Sequence, residues 1–95
     1  MPPASTLFHA MAQVWLDVGK TSHLHWNNAT WGCVYAFNVQ PGAAEVGNVM
    51  EAEVVRVWRK HIKHPTTSEA EVHVIVKNTG SSPGWCFVFM SAICG

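Results

Sequence analysis

The stretch Glu69 to Asn78, EAEVHVIVKN, constrains this chain more than any other. Ala70, Val72, Val74 and Val76 alternate with Glu71, His73, Ile75 and Lys77. A period of two sends successive side chains to opposite sides of an extended backbone, so this is a half-buried β-strand with one apolar face and one mostly polar face. That face must be laid against something, and a chain of 95 residues can build one modest core. Turn formers bound the strand, KHPTTSE before it and NTGSSPG after it. These predict two hairpins, one over about residues 51–78 and the next over about 70–93.

The preceding segment, MEAEVVRVWRKHIK, alternates less cleanly. Val55 and Val57 share a face with Glu51, Glu53, Arg59 and His61; Ala52, Val54, Trp58 and Ile62 share the other with Arg56 and Lys60. The adjacent pair Val54-Val55 predicts a bulge at which the two faces exchange. The last strand, WCFVFMSAI, is apolar on both sides, and so, apart from Asn38, is CVYAFNV. Strands of that kind need cover on both faces. A two-layer sandwich of this size covers one face of each sheet, which leaves the other for a helix, an arm or a neighbouring subunit.

Residues 7–18 fit either a helix or a strand, since Leu7, Phe8, Met11, Val14, Trp15 and Val18 have helical spacing while Phe8, Ala10, Ala12, Val14, Leu16 and Val18 alternate. We favour a strand over 12–18, because LDVGKTSHLHW reads as strand, glycine-containing turn, strand. The expected strands are 12–18, 22–27, 33–40, 50–62, 69–78 and 85–93. They make an all-β chain, a single domain over 1–95 folded as a small antiparallel β-sandwich, with residues 1–6 as an extended N-terminal arm.

Composition narrows the function classes. Charged residues are 13% of the chain and the formal net charge is zero. Nucleic-acid binders of this size carry a basic excess, so nucleic acid is not an expected partner. No apolar run approaches the roughly 20 residues of a membrane-spanning helix. The opening MPPASTLFHAM lacks a basic stretch followed by an apolar one, so an intracellular location is the default expectation. Three cysteines, Cys33, Cys86 and Cys94, are too few and odd in number for a fully paired disulfide framework.

The segment AEVHVIVKNTGSSPGWCFVFMS resembles the late strands of immunoglobulin-like and fibronectin-like β-sandwich domains, in which a valine-rich strand ends in Asn-x-Gly and a short loop leads to an aromatic strand. LDVGKTSHLHW is similar to an early hairpin of such domains. Cys33 and Cys86 are spaced loosely like the immunoglobulin disulfide. The Tyr expected two residues before the second cysteine is Gly84 here, and no Trp follows Cys33 at the usual distance. The resemblance implies a fold class and no particular function.

Three function classes compete. Low charge, doubly apolar strands and five tryptophans point to a non-catalytic module that self-associates or assembles with protein through Tyr35, Phe37, Trp85, Phe87, Val88, Phe89 and Met90. HWNNATW supplies an alternative, a lectin-like surface in which Trp26 and Trp31 stack on a glycan while Asn27 and Asn28 bond its hydroxyls. The second alternative is a metal-binding module: His23 and His25 share a strand face, and His73 would be a third ligand. His61 and His64 flank a loop and add a weaker candidate. Catalysis is not expected. No nucleophile elbow, zinc-protease or phosphate-loop motif occurs. The pairs Glu51/Glu53 and Glu69/Glu71 suit a solvated strand, and Cys33 and Cys86 sit in apolar strands where a thiol packs as a small hydrophobe. No cofactor is implied.

Overall fold

The computed structural model describes residues 5–29, 32–44, 47–63 and 68–94, and of these the side chains other than those of 5–10, 28, 62, 63, 68, 69 and 94. Six strands follow in chain order: β1 (Ser5–Leu16), β2 (Thr21–Ala29), β3 (Cys33–Pro41), β4 (Ala52–Lys63), β5 (Ser68–Asn78) and β6 (Gly84–Cys94). No helix occurs among the described residues. The strand reading of residues 12–18 holds as far as Leu16: Met11, Gln13 and Trp15 are exposed while Ala12, Val14 and Leu16 turn inward. Of the expected arm, residues 5 and 6 belong to β1, and residues 1–4 fall outside the described residues.

All pairing is antiparallel. Sheet A has the order β1-β6-β3 and sheet B the order β2-β5-β4. The β4–β5 hairpin is present as expected. The expected hairpin over 70–93 is not: β5 and β6 lie in different sheets, each as the central strand. The reason lies in the turn between them. Thr79 N–H donates to the Glu51 carbonyl (2.9 Å), and the N–H groups of Ser81 and Ser82 donate to the Val49 carbonyl (2.9 and 3.1 Å). Those bonds turn the chain away from sheet B and let the apolar faces of β5 and β6 meet across the core. The strand–turn–strand reading of LDVGKTSHLHW holds, from β1 through residues 17–20 into β2, but the segment is not the hairpin that the resemblance implied. Its turn exists, with Gly19 at φ 78° and Lys20 N–H bonded to the Asp17 carbonyl, but β1 and β2 belong to opposite sheets.

The expected bulge falls at Val55. The register runs Val54↔Val76 and then Arg56↔Ile75, leaving Val55 without a Cα partner. Before it Ala52 and Val54 face inward; after it Val57 and Arg59 share the side of Val74 and Val72. The extra residue therefore sends Trp58 outward beside Arg56, which matters for the surface.

Ala70, Val72, Val74 and Val76 are buried, as the alternation demanded. Two packed groups fill the interior: Cys33, Tyr35, Ala70, Val72, Met90 and Ala92 at one end, and Leu16, Met50, Val74, Val76, Cys86 and Val88 at the other, with Phe37 touching both. Asn78 is fully buried between the turns, and its polar atoms are matched. Its Nδ2 donates to the carbonyls of Leu16 (3.1 Å) and Ser82 (2.9 Å), and its Oδ1 accepts from Gly80 N–H (2.9 Å). Its backbone exchanges bonds with Gly19 and Lys20. One residue thus ties the β1–β2 turn, the β5–β6 turn and the end of β5 together.

Cys33 is disulfide-bonded, and Cys86 is a free, buried thiol. A Cys33–Cys86 bridge of the immunoglobulin kind is therefore not formed. The β3–β6 register explains why: Cys86 lies opposite Pro41, at the other end of β3 from Cys33.

Candidate functional site

The two sheets present unlike outer faces. On sheet A, β6 turns Cys86, Val88, Met90 and Ala92 into the core, so Trp85, Phe87, Phe89, Ser91 and Ile93 point outward. The register places Met11, Gln13 and Trp15 of β1 on one side of this row, and Val34, Ala36, Asn38 and Gln40 of β3 on the other. None of these side chains is ionisable. The apolar ones are open to solvent: Val34 is 67% exposed, Met11 64%, Trp15 53% and Trp85 50%. Trp15 and Trp85 pack edge to face, with ring centroids 5.6 Å apart, an arrangement that suits the aromatic quadrupoles.

Of the seven residues expected at an interface, Trp85, Phe87 and Phe89 lie on this outer face. Tyr35, Phe37, Val88 and Met90 do not; they turn into the core, and Val88 and Met90 are 4% exposed. An apolar strand buried on one side cannot offer both sides to a partner. Sequence reasoning missed Met11, Trp15 and Val34, whose membership follows only from the order β1-β6-β3.

Sheet B carries the polar surface. Its outer face is built from His23 and His25 of β2, Glu71, His73, Ile75 and Lys77 of β5, and Glu53, Arg56, Trp58 and Lys60 of β4. The three histidines expected together are together. His25 and His73 are register partners, with rings stacked at 5.4 Å, and Trp58 stacks on the other side of His73 at 4.9 Å with planes 10° apart. His23 Nε2 is 2.7 Å from His73 Nδ1, and His73 Nε2 is 3.3 Å from Glu71 Oε1. The Arg56 guanidinium covers Trp58 at 4.4 Å from the ring centre. The imidazole nitrogens thus bond each other and a carboxylate rather than converging on a shared point. Among the described residues no group of three or more His, Cys, Asp or Glu is arranged to hold a metal ion.

The glycan-directed residues are only partly placed. Trp26 and Asn27 are exposed near the end of β2, while Trp31 and the side chain of Asn28 lie outside the described residues. Trp26 rims a cleft of about 150 Å³ between β1 and β2, lined by Met11, Leu24, His25, Phe37, Val74 and Met90 among others. That lining lacks the convergent polar groups that hydroxyl recognition needs. His61 is exposed near the end of β4, and His64 lies outside the described residues. Arg59 turns toward sheet A, where its Nη2 donates to the Cys33 carbonyl (2.8 Å) and its guanidinium stands 5.6 Å from the Tyr35 ring centre. Burial pushes the Cys86 pKa up, which opposes a role as a nucleophilic thiolate.

Comparison of the chain with known protein families, curated proteins and solved structures finds no match.

Proposed function

We propose that this protein is a non-catalytic β-sandwich module that self-associates through the outer face of sheet A. One observation carries the reading: a three-stranded face exposes Met11, Trp15, Val34, Trp85, Phe89 and Ile93 with no charged side chain among its described residues. Monomeric domains rarely leave so much contiguous apolar surface in water. Sheet B, with its charges and histidines, is suited to remain wet.

The size of the face fits a second copy of the chain. Three strands about 4.8 Å apart, about 10 residues long at about 3.4 Å per residue, give a flat projection of roughly 500 Å². Two such faces in contact remove roughly 1,000 Å² from water, at the threshold of a specific interface. Among the described side chains of this face none is charged, so a symmetric pairing brings no like charges together there. The Trp15–Trp85 pair supplies the large aromatic anchor that such contacts favour.

Light scattering on the unmodified chain and on Phe89→Lys tests this reading. The unmodified chain is expected to scatter as a dimer or larger, and the variant as a monomer with its β-sheet circular dichroism intact. Equal masses for the two, both monomeric, would remove the proposal.

A further inference from the structure

We propose that Cys33 and Cys94 form an intrachain disulfide, and that the protein matures where thiols are oxidised. Cys33 is disulfide-bonded. The chain has three cysteines, and one of them, Cys86, is a free and fully buried thiol. The third, Cys94, is the Cα partner of Cys33 across the β3–β6 ladder. Directly opposed residues of an antiparallel pair have Cα atoms about 4.5–5.5 Å apart, inside the span of about 4.4–6.8 Å that a disulfide bridges. Cys86 is excluded on position as well, since its register partner is Pro41.

The chemistry is thiol–disulfide exchange. The two thiols give up two protons and two electrons, and a disulfide oxidant, protein or small molecule, is reduced to two thiols. Structural bonds of this kind persist in secretory, periplasmic or extracellular settings and are kept open by the reducing pools of the cytosol. The bond therefore argues against the intracellular default that the opening residues suggested. It also has a mechanical role. It closes a ring that takes in β3, β4, β5 and β6, and it fastens the end of sheet A at which Val34 and Ile93 stand opposite each other.

The test is a non-reducing peptide map of the chain exported to an oxidising compartment, with free thiols alkylated before and after unfolding. The expected result is one linked peptide pair containing Cys33 and Cys94, and a single thiol, Cys86, that alkylates only after unfolding. Reductant is expected to lower Tm by roughly 10 °C, and Cys33→Ser, Cys94→Ser and the double variant to melt together at the lowered value. Three alkylatable thiols in the exported protein, a linked peptide containing Cys86, or a bond between two chains would each overturn the inference. The map uses the unmodified chain, so it decides the matter even where a serine variant does not fold.

Discussion

His23 Nε2 lies 2.7 Å from His73 Nδ1 on the outer face of sheet B. The other nitrogen of His73 faces Glu71 Oε1 at 3.3 Å, and a carboxylate only accepts. His73 therefore carries its proton on Nε2, and Nδ1 is left to accept from His23 Nε2–H. The prediction is a single tautomer, assigned by this network. Long-range ¹H–¹⁵N spectra at pH 8 should show His73 wholly as the Nε2–H form. Replacing Glu71 with Ala should release it into the mixture of tautomers seen in free imidazole. A mixed tautomer in the unmodified protein would contradict the hydrogen-bond chain.

Asn78 makes three side-chain bonds to main-chain groups from a fully buried position. Asn78→Ala leaves the Leu16 and Ser82 carbonyls and the Gly80 N–H without that partner. We expect a loss of about 2–4 kcal/mol, since each buried polar group left unmatched costs about 1–3 kcal/mol and the turns can relax in part. Urea unfolding followed by circular dichroism measures it. A loss below about 0.5 kcal/mol would mean that the turns are held by other contacts.

Gly80 is needed for closeness rather than for its backbone angles. A Cβ there would collide with the Val49 carbonyl oxygen and stand 2.7 Å from Glu51 N. That Val49 carbonyl accepts from the N–H groups of Ser81 and Ser82 in the turn that carries the chain from sheet B to sheet A. Gly80→Ala is expected to destabilise by at least about 2 kcal/mol, whereas Gly32→Ala, where a Cβ meets nothing within 4 Å, should cost far less. Equal effects in a denaturant titration would count against the close approach.

The buried thiol of Cys86 links stability to alkaline pH. Burial raises its pKa, so the folded state keeps the proton while the unfolded chain loses it near the ordinary value of 9.0. Its contribution to stability is full below that value and is lost as pH rises above it. Urea midpoints should fall between pH 8 and pH 10 in the unmodified chain, and part of that fall should vanish in Cys86→Ala. An identical pH dependence in the two proteins would refute the assignment.

Much of the fold was legible in local patterns. The alternation of Ala70, Val72, Val74 and Val76 and the doubled valine at 54–55 identified a core strand and a bulge without any tertiary information. Sheet membership was not legible. Whether NTGSSPG makes a hairpin or a crossing between sheets depends on its bonds to Val49 and Glu51, which are distant in sequence. The same limit governed the surfaces. HLH signalled two imidazoles on one side, but their partners Trp58 and Glu71 arrive from β4 and β5 through the bulge and the register. For β6, alternation divided the strand into two apolar faces. Only the position of sheet B showed that Val88 and Met90 are core and that Trp85 and Phe89 are surface.

Sedimentation equilibrium of the unmodified chain across the micromolar range tests the central claim most directly. A face that bears Trp15, Trp85, Phe89 and Val34 and no charge among its described side chains predicts a mass of at least twice the 10.5 kDa protomer, with dissociation only on dilution. A single species at the protomer mass throughout that range would contradict it.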